Sequence, residues 1–193
     1  MDIAAASQLV GQTDRELWIV TAADGQRRGG LVATFVCLAS LVEELPRVLI
    51  ALAKQHHTQQ LIEVSGVFGL HLIAARQLDW VWRFGLRSGR DFDKLAGLAH
   101  ESGETGAPLL SDALGWLDCR VETRLDTGDR TVYLAEVVAA RMNHDEPPLT
   151  MKELLKIVPP ERLAQLKQLR ERDSRIDAQA ILAWRARQGQ RDA

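Results

Sequence analysis

Short apolar runs, bounded by glycine, proline or polar turns, occupy most of the chain up to residue 140. Runs rich in β-branched or small residues predict strands at 17–22, 31–38, 48–53 and 67–73. Residues 23–26, Ala-Asp-Gly-Gln, predict the turn between the first two strands. The pattern favours a core made mainly of β structure.

The clearest pattern predicts a β-hairpin in the second half of the chain. From Leu117 to Arg124 apolar or small residues alternate with charged ones, which is typical of a strand with one solvated face. A turn at 126–129 follows, and the apolar segment 131–140 returns as the second strand. Cys37 and Cys119 fall inside predicted strands far from any other cysteine, so we expect both to be buried free thiols.

Helical spacing appears in the connections and in the last quarter of the chain. It predicts helices from Thr58 to Ser65, over 77–84, and near 92–98 within a glycine-rich loop. Residues before 17 form an entry arm or a short helix.

From Pro147 the composition becomes charged, with leucines at helical spacing. Thr150 is a predicted cap for a helix over 151–158, a second helix covers 161–172, and Ser174 caps a third. We therefore divide the chain into a core, residues 1–146, and a helical extension, residues 147–193. Its apolar stripes are expected to pack on the core or on a partner subunit.

Charge and composition narrow the classes of partner. The net charge of −2 does not favour nucleic acid or an anionic membrane. The longest apolar run, 31–42, is shorter than the roughly 18 residues of a membrane span, so we expect a soluble, cytoplasmic protein. The five histidines show no zinc-like spacing, so no metal site is expected.

Polar groups cluster around the two apolar runs at 31–38 and 48–53. Thr34 and Ser40 supply hydroxyls near the end of the first run, and residues 54–58, Lys-Gln-His-His-Thr, follow the second at a strand-to-helix turn. Free backbone N–H groups and the helix dipole favour an anion at such a turn, so a phosphate can bind there. The alternative is a solvated turn in which Thr58 only caps the helix.

The motif A-T-F-x(4)-S-L over 33–41, followed by a proline and by K-x-H-x-T-x-x-L-I over 54–62, resembles the flavin reductase family. The similarity spans roughly residues 17–142. It implies an α+β protein with an FMN-binding split β-barrel, here followed by the helical extension. It also implies bound FMN (FAD is possible), NADH or NADPH as hydride donor, and a homodimer that builds its flavin site at the subunit interface.

The same resemblance implies roles for individual residues. Ala33, Thr34 and Phe35 match the segment whose backbone faces the isoalloxazine edge. Ser40, with its neighbour Ala39, matches the contact to the flavin or its ribityl chain. The phosphate-binding turn corresponds to four residues: Lys54, His56, His57 and Thr58.

Residues 128–137 match a family strand of the form G-x-H-x-x-F-x-G-x-V, with two departures. Arg130 replaces the histidine and Ala135 replaces a glycine. Arg130 is therefore a possible residue on the nicotinamide side, where its guanidinium could favour the extra phosphate of NADPH.

The predicted function is an NAD(P)H-dependent flavin reductase that needs no catalytic acid or base. A monooxygenase or another redox protein would receive the reduced flavin. Two alternatives stay open: an electron-transfer module like flavoredoxin, and a flavin-binding protein without turnover.

Overall fold

The computed structural model describes residues 2–190 as a curled antiparallel sheet with helices around it. Seven strands form this sheet, and two more form a separate ribbon. The strands are β1 Trp18–Asp24, β2 Arg27–Ala33, β3 Val36–Leu38, β4 Arg47–Ala53, β5 Val67–Leu72, β6 His100–Ser102, β7 Pro108–Leu110, β8 Gly115–Asp126 and β9 Arg130–Met142. The helices are α1 Ile3–Gln12, α2 His57–Ser65, α3 Leu78–Gly85, α4 Met151–Ile157 and α5 Pro160–Gly189.

The order of the strands shows how the sheet closes. It runs β2-β1-β5-β8-β9-β4-β3, so β2 and β3 lie at opposite edges. Only Thr34 and Phe35 connect these two edges. Because each residue spans at most about 3.3–3.6 Å, the edges must approach within roughly 10 Å there. The sheet therefore curls into a barrel that is split along this line.

The predicted strand over 31–38 is wrong as one element. The apolar run is continuous, but it contains the end of β2, the two-residue crossing and the whole of β3. Cys37 is consequently exposed at the sheet edge, whereas Cys119 is buried as predicted.

Strand β1 contributes to two hydrophobic clusters because successive side chains point to opposite faces. Val20 and Ala22 pack inside the barrel, where Phe68 and Tyr133 are also buried. Ile19 points outward and packs with Phe84 of α3 in the second cluster. Both faces of this strand are therefore covered.

A close approach between β2 and α3 requires glycine at position 30. A Cβ atom there would lie 2.7 Å from the Phe84 ring and 3.0 Å from the carbonyl oxygen of Val20. Any larger residue would push α3 away from the barrel wall. This contact positions the loop that follows α3.

The predicted hairpin is confirmed as β8 and β9. Cys119 packs in the barrel core, whereas Asp118 lies on the opposite face of β8 and is buried there by the loop that contains Thr105. The Asp118 carboxylate accepts from the Thr105 backbone N–H at 2.9 Å and from the Thr105 hydroxyl. The expectation that Asp118 faces solvent is therefore wrong. The helix expected near 92–98 is also wrong, since that segment forms turns.

The extension contains two helices where three were predicted. Thr150 caps α4 by accepting from the Glu153 backbone N–H at 3.2 Å, as predicted. Ser174 lies in the interior of α5, a single helix of 30 residues, so the predicted break before it is wrong. Leu149 and Leu154 pack in the second hydrophobic cluster. The division of the chain at residue 147 stays a prediction.

Within residues 2–190, none of the helices is long and apolar enough to cross a membrane.

Candidate functional site

A cleft of about 590 Å³ lies between the barrel wall and α5. We call it the central cleft. Its size is within the range of small-molecule sites in proteins. Its walls are Gly30–Val32 of β2, the turn Gln55–Thr58, the loop Phe84–Arg90, Lys94, and Leu166, Leu169, Arg172, Asp173 and Ile176 of α5.

The start of α2 forms one wall of the central cleft. His56 is the N-cap residue, and its side chain makes no capping hydrogen bond. The first backbone N–H groups of the helix therefore lack a side-chain acceptor, which leaves positive dipole charge at this wall. Thr58 lies inside the first turn and is buried, so the alternative that it caps the helix is wrong.

The two histidines of this turn are held in their neutral form. Burial is the main cause that lowers the pKa of His56; the Asp173 and Asp177 carboxylates oppose this shift, and the cations Lys94 and Arg130 reinforce it. Burial and the Arg90 guanidinium lower the pKa of His57. A neutral imidazole still offers one N–H donor. These side chains can orient an anion, but its charge must be balanced by other groups.

Lys94 supplies a buried cation to the central cleft. Its ammonium donates to the carbonyl oxygens of Gly30 at 2.8 Å and Phe84 at 2.7 Å. Burial lowers its pKa to about 8, so the group is still mainly protonated at neutral pH. Within residues 2–190 no carboxylate pairs with it. No motif in the sequence pointed to Lys94 as a site residue.

Arginines at the rim of the central cleft were also missed: Arg87, Arg90 and Arg172. The Arg90 guanidinium donates to the Gln55 carbonyl at 3.0 Å and so ties the loop to the turn. Residues 87–90, Arg-Ser-Gly-Arg, combine cations, a hydroxyl and a glycine, and this composition was the available signal.

Lys54 points away from the other residues of the predicted phosphate turn. Its ammonium pairs with the Asp126 carboxylate at 2.6 Å, at the tip of the β8–β9 hairpin. It does not line the central cleft, whereas His56, His57 and Thr58 do. Its role in binding phosphate stays a prediction.

The predicted flavin-edge residues lie at the split of the barrel. Thr34 and Phe35 line a second cavity of about 370 Å³, together with Arg15 and Cys37. The Phe35 ring is flanked by the guanidinium groups of Arg15 at 5.4 Å and Arg130 at 5.1 Å.

The remaining predicted residues lie outside both cavities. Ala33 is buried at the end of β2. Ala39 and Ser40 belong to the loop after β3, where the Ser40 hydroxyl accepts from the Val42 backbone N–H at 3.0 Å. Their contacts with a flavin stay predictions.

Arg130 lies between the Phe35 ring and α5. Its guanidinium pairs with Asp177 of α5 at 2.7 Å and with Asp129 at 3.1 Å. The Gln55 amide donates to the same Asp177 carboxylate at 3.1 Å. Two carboxylates already neutralise Arg130, which opposes binding of a further phosphate in this arrangement. Its role on the nicotinamide side stays a prediction.

In the part of the chain that the structure describes, no three His, Cys, Asp or Glu side chains converge in a metal-binding group.

Comparison with known proteins identifies similar chains. One is the ferric-chelate reductase (NAD(P)H) of Archaeoglobus fulgidus, 29% identical over 136 residues that cover 69% of this chain and 79% of the relative. Another is the reductase subunit HsaB of a flavin-dependent monooxygenase from Rhodococcus jostii, 32% identical over 143 residues that cover 73% of this chain and 70% of the relative. This chain spans only 58% of the similar high molecular weight rubredoxin of Moorella thermoacetica and 23% of a Synechocystis diflavin flavoprotein.

The fold comparison agrees with the sequence comparison. The crystal structure of nitrilotriacetate monooxygenase component B from Mycobacterium thermoresistibile superposes with a TM-score of 0.67 at 26% identity, covering 77% of this chain and 82% of that one. This confirms the predicted α+β split barrel. The family model described as "Flavin reductase like domain" matches residues 10–153. The chain therefore belongs to the flavin reductase-like family.

Proposed function

We propose that this protein binds FMN and transfers hydride from NADH or NADPH to flavin. The observation that carries the proposal is the central cleft, where an uncapped helix start, the buried Lys94 and the rim arginines surround one concave space. Such a wall favours the phosphate of a flavin nucleotide because dipole and cation charge both stabilise an anion. The names of the two reductase relatives support the same chemistry.

The chain's own residues bind and orient the cofactor. The α2 start, with His57 and Thr58, would hold the phosphate, and Lys54 would assist once its ammonium leaves the Asp126 carboxylate. Thr34 and Phe35, at the split of the barrel, would face the flavin ring. The flavin supplies the redox chemistry when bound. The choice of FMN over FAD belongs to the same proposal, with either nicotinamide as the hydride donor.

A homodimer belongs to the same proposal. The end of β3 and the loop that follows it expose four large apolar side chains close to the predicted flavin segment: Leu38, Leu41, Val42 and Leu45. An exposed apolar patch of this kind is typical of an interface. A second copy that covers the loop would bury these side chains and enclose the flavin edge.

A protein acceptor of reduced flavin is proposed by analogy with the monooxygenase reductase subunit. The cytoplasmic location expected from the sequence stays a prediction.

The alternative of an electron carrier rests on one observation. Arg130 stands at the position of the family histidine, and its guanidinium forms ion pairs with Asp129 and Asp177. A carrier that receives electrons from a protein partner does not need that position for a nicotinamide.

Absorbance spectroscopy of the purified protein tests the proposal. We expect flavin bands after FMN is added and the excess removed, and loss of those bands under anaerobic NADH or NADPH. Bands that persist with both donors but are lost with a protein reductant would favour the electron carrier. A chain that retains no FMN and shows no saturable FMN binding would contradict both.

A further inference from the structure

The central cleft continues along the first half of α5 into two further cavities, which together we call the arginine groove. The nearer cavity, about 420 Å³, shares Leu86, Arg87 and Arg172 with the central cleft. The farther one, about 530 Å³, shares Arg87 and Arg162 with the nearer cavity. From Arg172 to Arg162 the groove follows about 15 Å of helix. The three spaces form one continuous path.

The middle of this path is strongly basic although the whole chain has a net charge of −2. Among the described residues, three arginines and no carboxylate line the nearer cavity: Arg87, Arg162 and Arg172. Arg172 pairs with Asp173 at 2.8 Å, whereas Arg87 and Arg162 have no acidic partner within residues 2–190. Arginine cations held without counter-ions are suited to bind phosphate groups by paired hydrogen bonds.

The far end of the groove is aromatic. Trp80, Trp82 and Phe92 line it together with the Asp79 carboxylate. Guanidinium groups already lie over two of these rings, Arg87 over Phe92 at 4.5 Å and Arg162 over Trp82 at 5.9 Å. Arg83 also lines this end, and its buried Nε has no partner within the described chain.

The two parts of the groove fit different parts of one ligand. Stacking on aromatic side chains is a general way of holding a nucleobase. A carboxylate repels phosphate but accepts hydrogen bonds from an exocyclic amine, so the end with Asp79 suits adenine. The middle, with arginines only, suits a pyrophosphate.

We propose that the arginine groove binds the adenosine diphosphate half of a dinucleotide whose redox-active half lies in the central cleft. FAD and NAD(P)H share this chemical group. The inference rests on the proposed function, and it goes beyond the family match because Arg162 and Arg172 lie outside the matched residues 10–153. In this arrangement α5 adds contacts that only a dinucleotide can make, whereas FMN binds through the central cleft without them.

Calorimetric titration of the full chain with FAD, FMN, NADH and ADP tests this inference. The test protein is the double variant Arg87→Ala/Arg162→Ala. The matched control is Arg170→Ala/Arg175→Ala, which removes the same two charges from exposed positions of α5 that do not line the groove. We expect the double variant to lose about tenfold or more in affinity for ADP and for at least one dinucleotide, with a smaller loss for FMN because Arg87 also lies at the rim of the central cleft. The control should bind all four as wild type does.

The dinucleotide whose affinity falls identifies the source of the bound group. It is FAD if only the affinity for FAD falls, and NADH if only the affinity for NADH falls. Equal losses for FMN and FAD, or unchanged ADP affinity in the double variant, would overturn the inference. A wild-type chain that binds ADP but not FMN would support the groove and contradict the proposed flavin site. If the double variant loses its native circular dichroism, Arg162→Gln alone provides the same comparison.

Discussion

Lys54 and Thr58 belong to one motif but lie in different surroundings. Lys54 is partly exposed and paired with Asp126, whereas Thr58 is buried in the first turn of α2. Thr58 can therefore bind phosphate only through its hydroxyl. Lys54 can bind phosphate only if its ammonium leaves the Asp126 carboxylate. Substitutions must be chosen to separate these roles from packing.

We predict that Thr58→Val and Lys54→Ala weaken FMN binding roughly ten- to a hundredfold and leave riboflavin binding nearly unchanged. Riboflavin lacks the phosphate, and a hydrogen bond to a charged group is worth about 1.5–3 kcal/mol. Valine keeps the volume of the buried threonine. Fluorescence quenching with both flavins measures the difference.

Lys167→Ala, which removes a lysine from an exposed position of α5, is the control for Lys54→Ala. Equal losses for the two flavins would show that the residues support the shape of the cleft. If Lys54→Ala changes neither affinity, its ion pair with Asp126 is a surface contact worth about 0–1 kcal/mol.

His71 is fully buried in β5 and makes two hydrogen bonds in its neutral form. Its Nδ1 pairs with the Ile19 carbonyl oxygen at 2.9 Å, and its Nε2 accepts from the Leu110 backbone N–H at 2.9 Å. Burial lowers its pKa to about 4. Protonation would remove the acceptor for Leu110 and bury a charge.

The depressed pKa of His71 predicts a loss of stability in acid. The folded-state pKa lies below the unfolded value of about 6.5, so this stabilisation is complete above pH 6.5 and is lost as the pH falls towards 4. The free energy of unfolding should decrease by about 3 kcal/mol from this group. Urea unfolding at several pH values measures it.

His71→Gln is the comparison for this prediction, since glutamine can form both hydrogen bonds but does not titrate. The variant should be less stable at pH 7 and should show a smaller decrease in acid than wild type. Parallel pH profiles for the two proteins would contradict the assignment.

At the scale of elements, α5 is attached to the barrel by a few polar and close contacts. None of its residues is buried, so its position depends on contacts such as that of Asp177 with Arg130 and Gln55. Farther along, a Cβ atom on Gly128 would lie 2.6 Å from the Trp184 Cβ, which shows how closely the hairpin tip meets the helix. These contacts hold α5 over the central cleft.

We predict that Asp177→Ala loosens the second half of α5. The substitution leaves the partly buried Arg130 guanidinium with one carboxylate fewer, at a cost of about 1–3 kcal/mol. Amide hydrogen exchange in residues 175–189 should accelerate by about tenfold or more, while exchange in β8 and β9 stays unchanged.

Glu171→Ala removes a carboxylate from an exposed position of α5 and should leave the exchange rates as in wild type. Unchanged exchange in Asp177→Ala would show that apolar contacts alone hold the helix.

At the scale of the whole molecule, the exposed apolar loop between β3 and β4 predicts a dimer. The paired substitution Leu41→Asp/Leu45→Asp should shift the chain to a monomer at micromolar concentration and weaken FMN binding. Burial of each leucine would contribute about 1.5–3 kcal/mol to association, and a buried aspartate would oppose it. Light scattering coupled to size exclusion measures the mass.

Leu182→Asp, at an exposed position of α5, is the matched control and should stay dimeric. A wild-type monomer with full FMN affinity would exclude a site shared between subunits.

The sequence by itself determined the local elements and the family. Alternation predicted the β8–β9 hairpin, the capping residue Thr150 marked the start of α4, and Ser65-Gly66 marked the end of α2, because these signals depend on neighbours within a few residues. The motifs over 33–41 and 54–62 were sufficient for the family, which the comparisons confirm.

Only the tertiary structure decided which residues meet. An unbroken apolar run cannot show that residues 34–35 cross from one sheet edge to the other, and the burial of Asp118 depends on Thr105 in another loop. Lys94 and Arg87 come from segments that share no motif with α5. Only long-range packing brings α5, with Arg162 and Arg172, over them. Spacing along the chain records local geometry, whereas the composition of a cleft depends on contacts between distant segments.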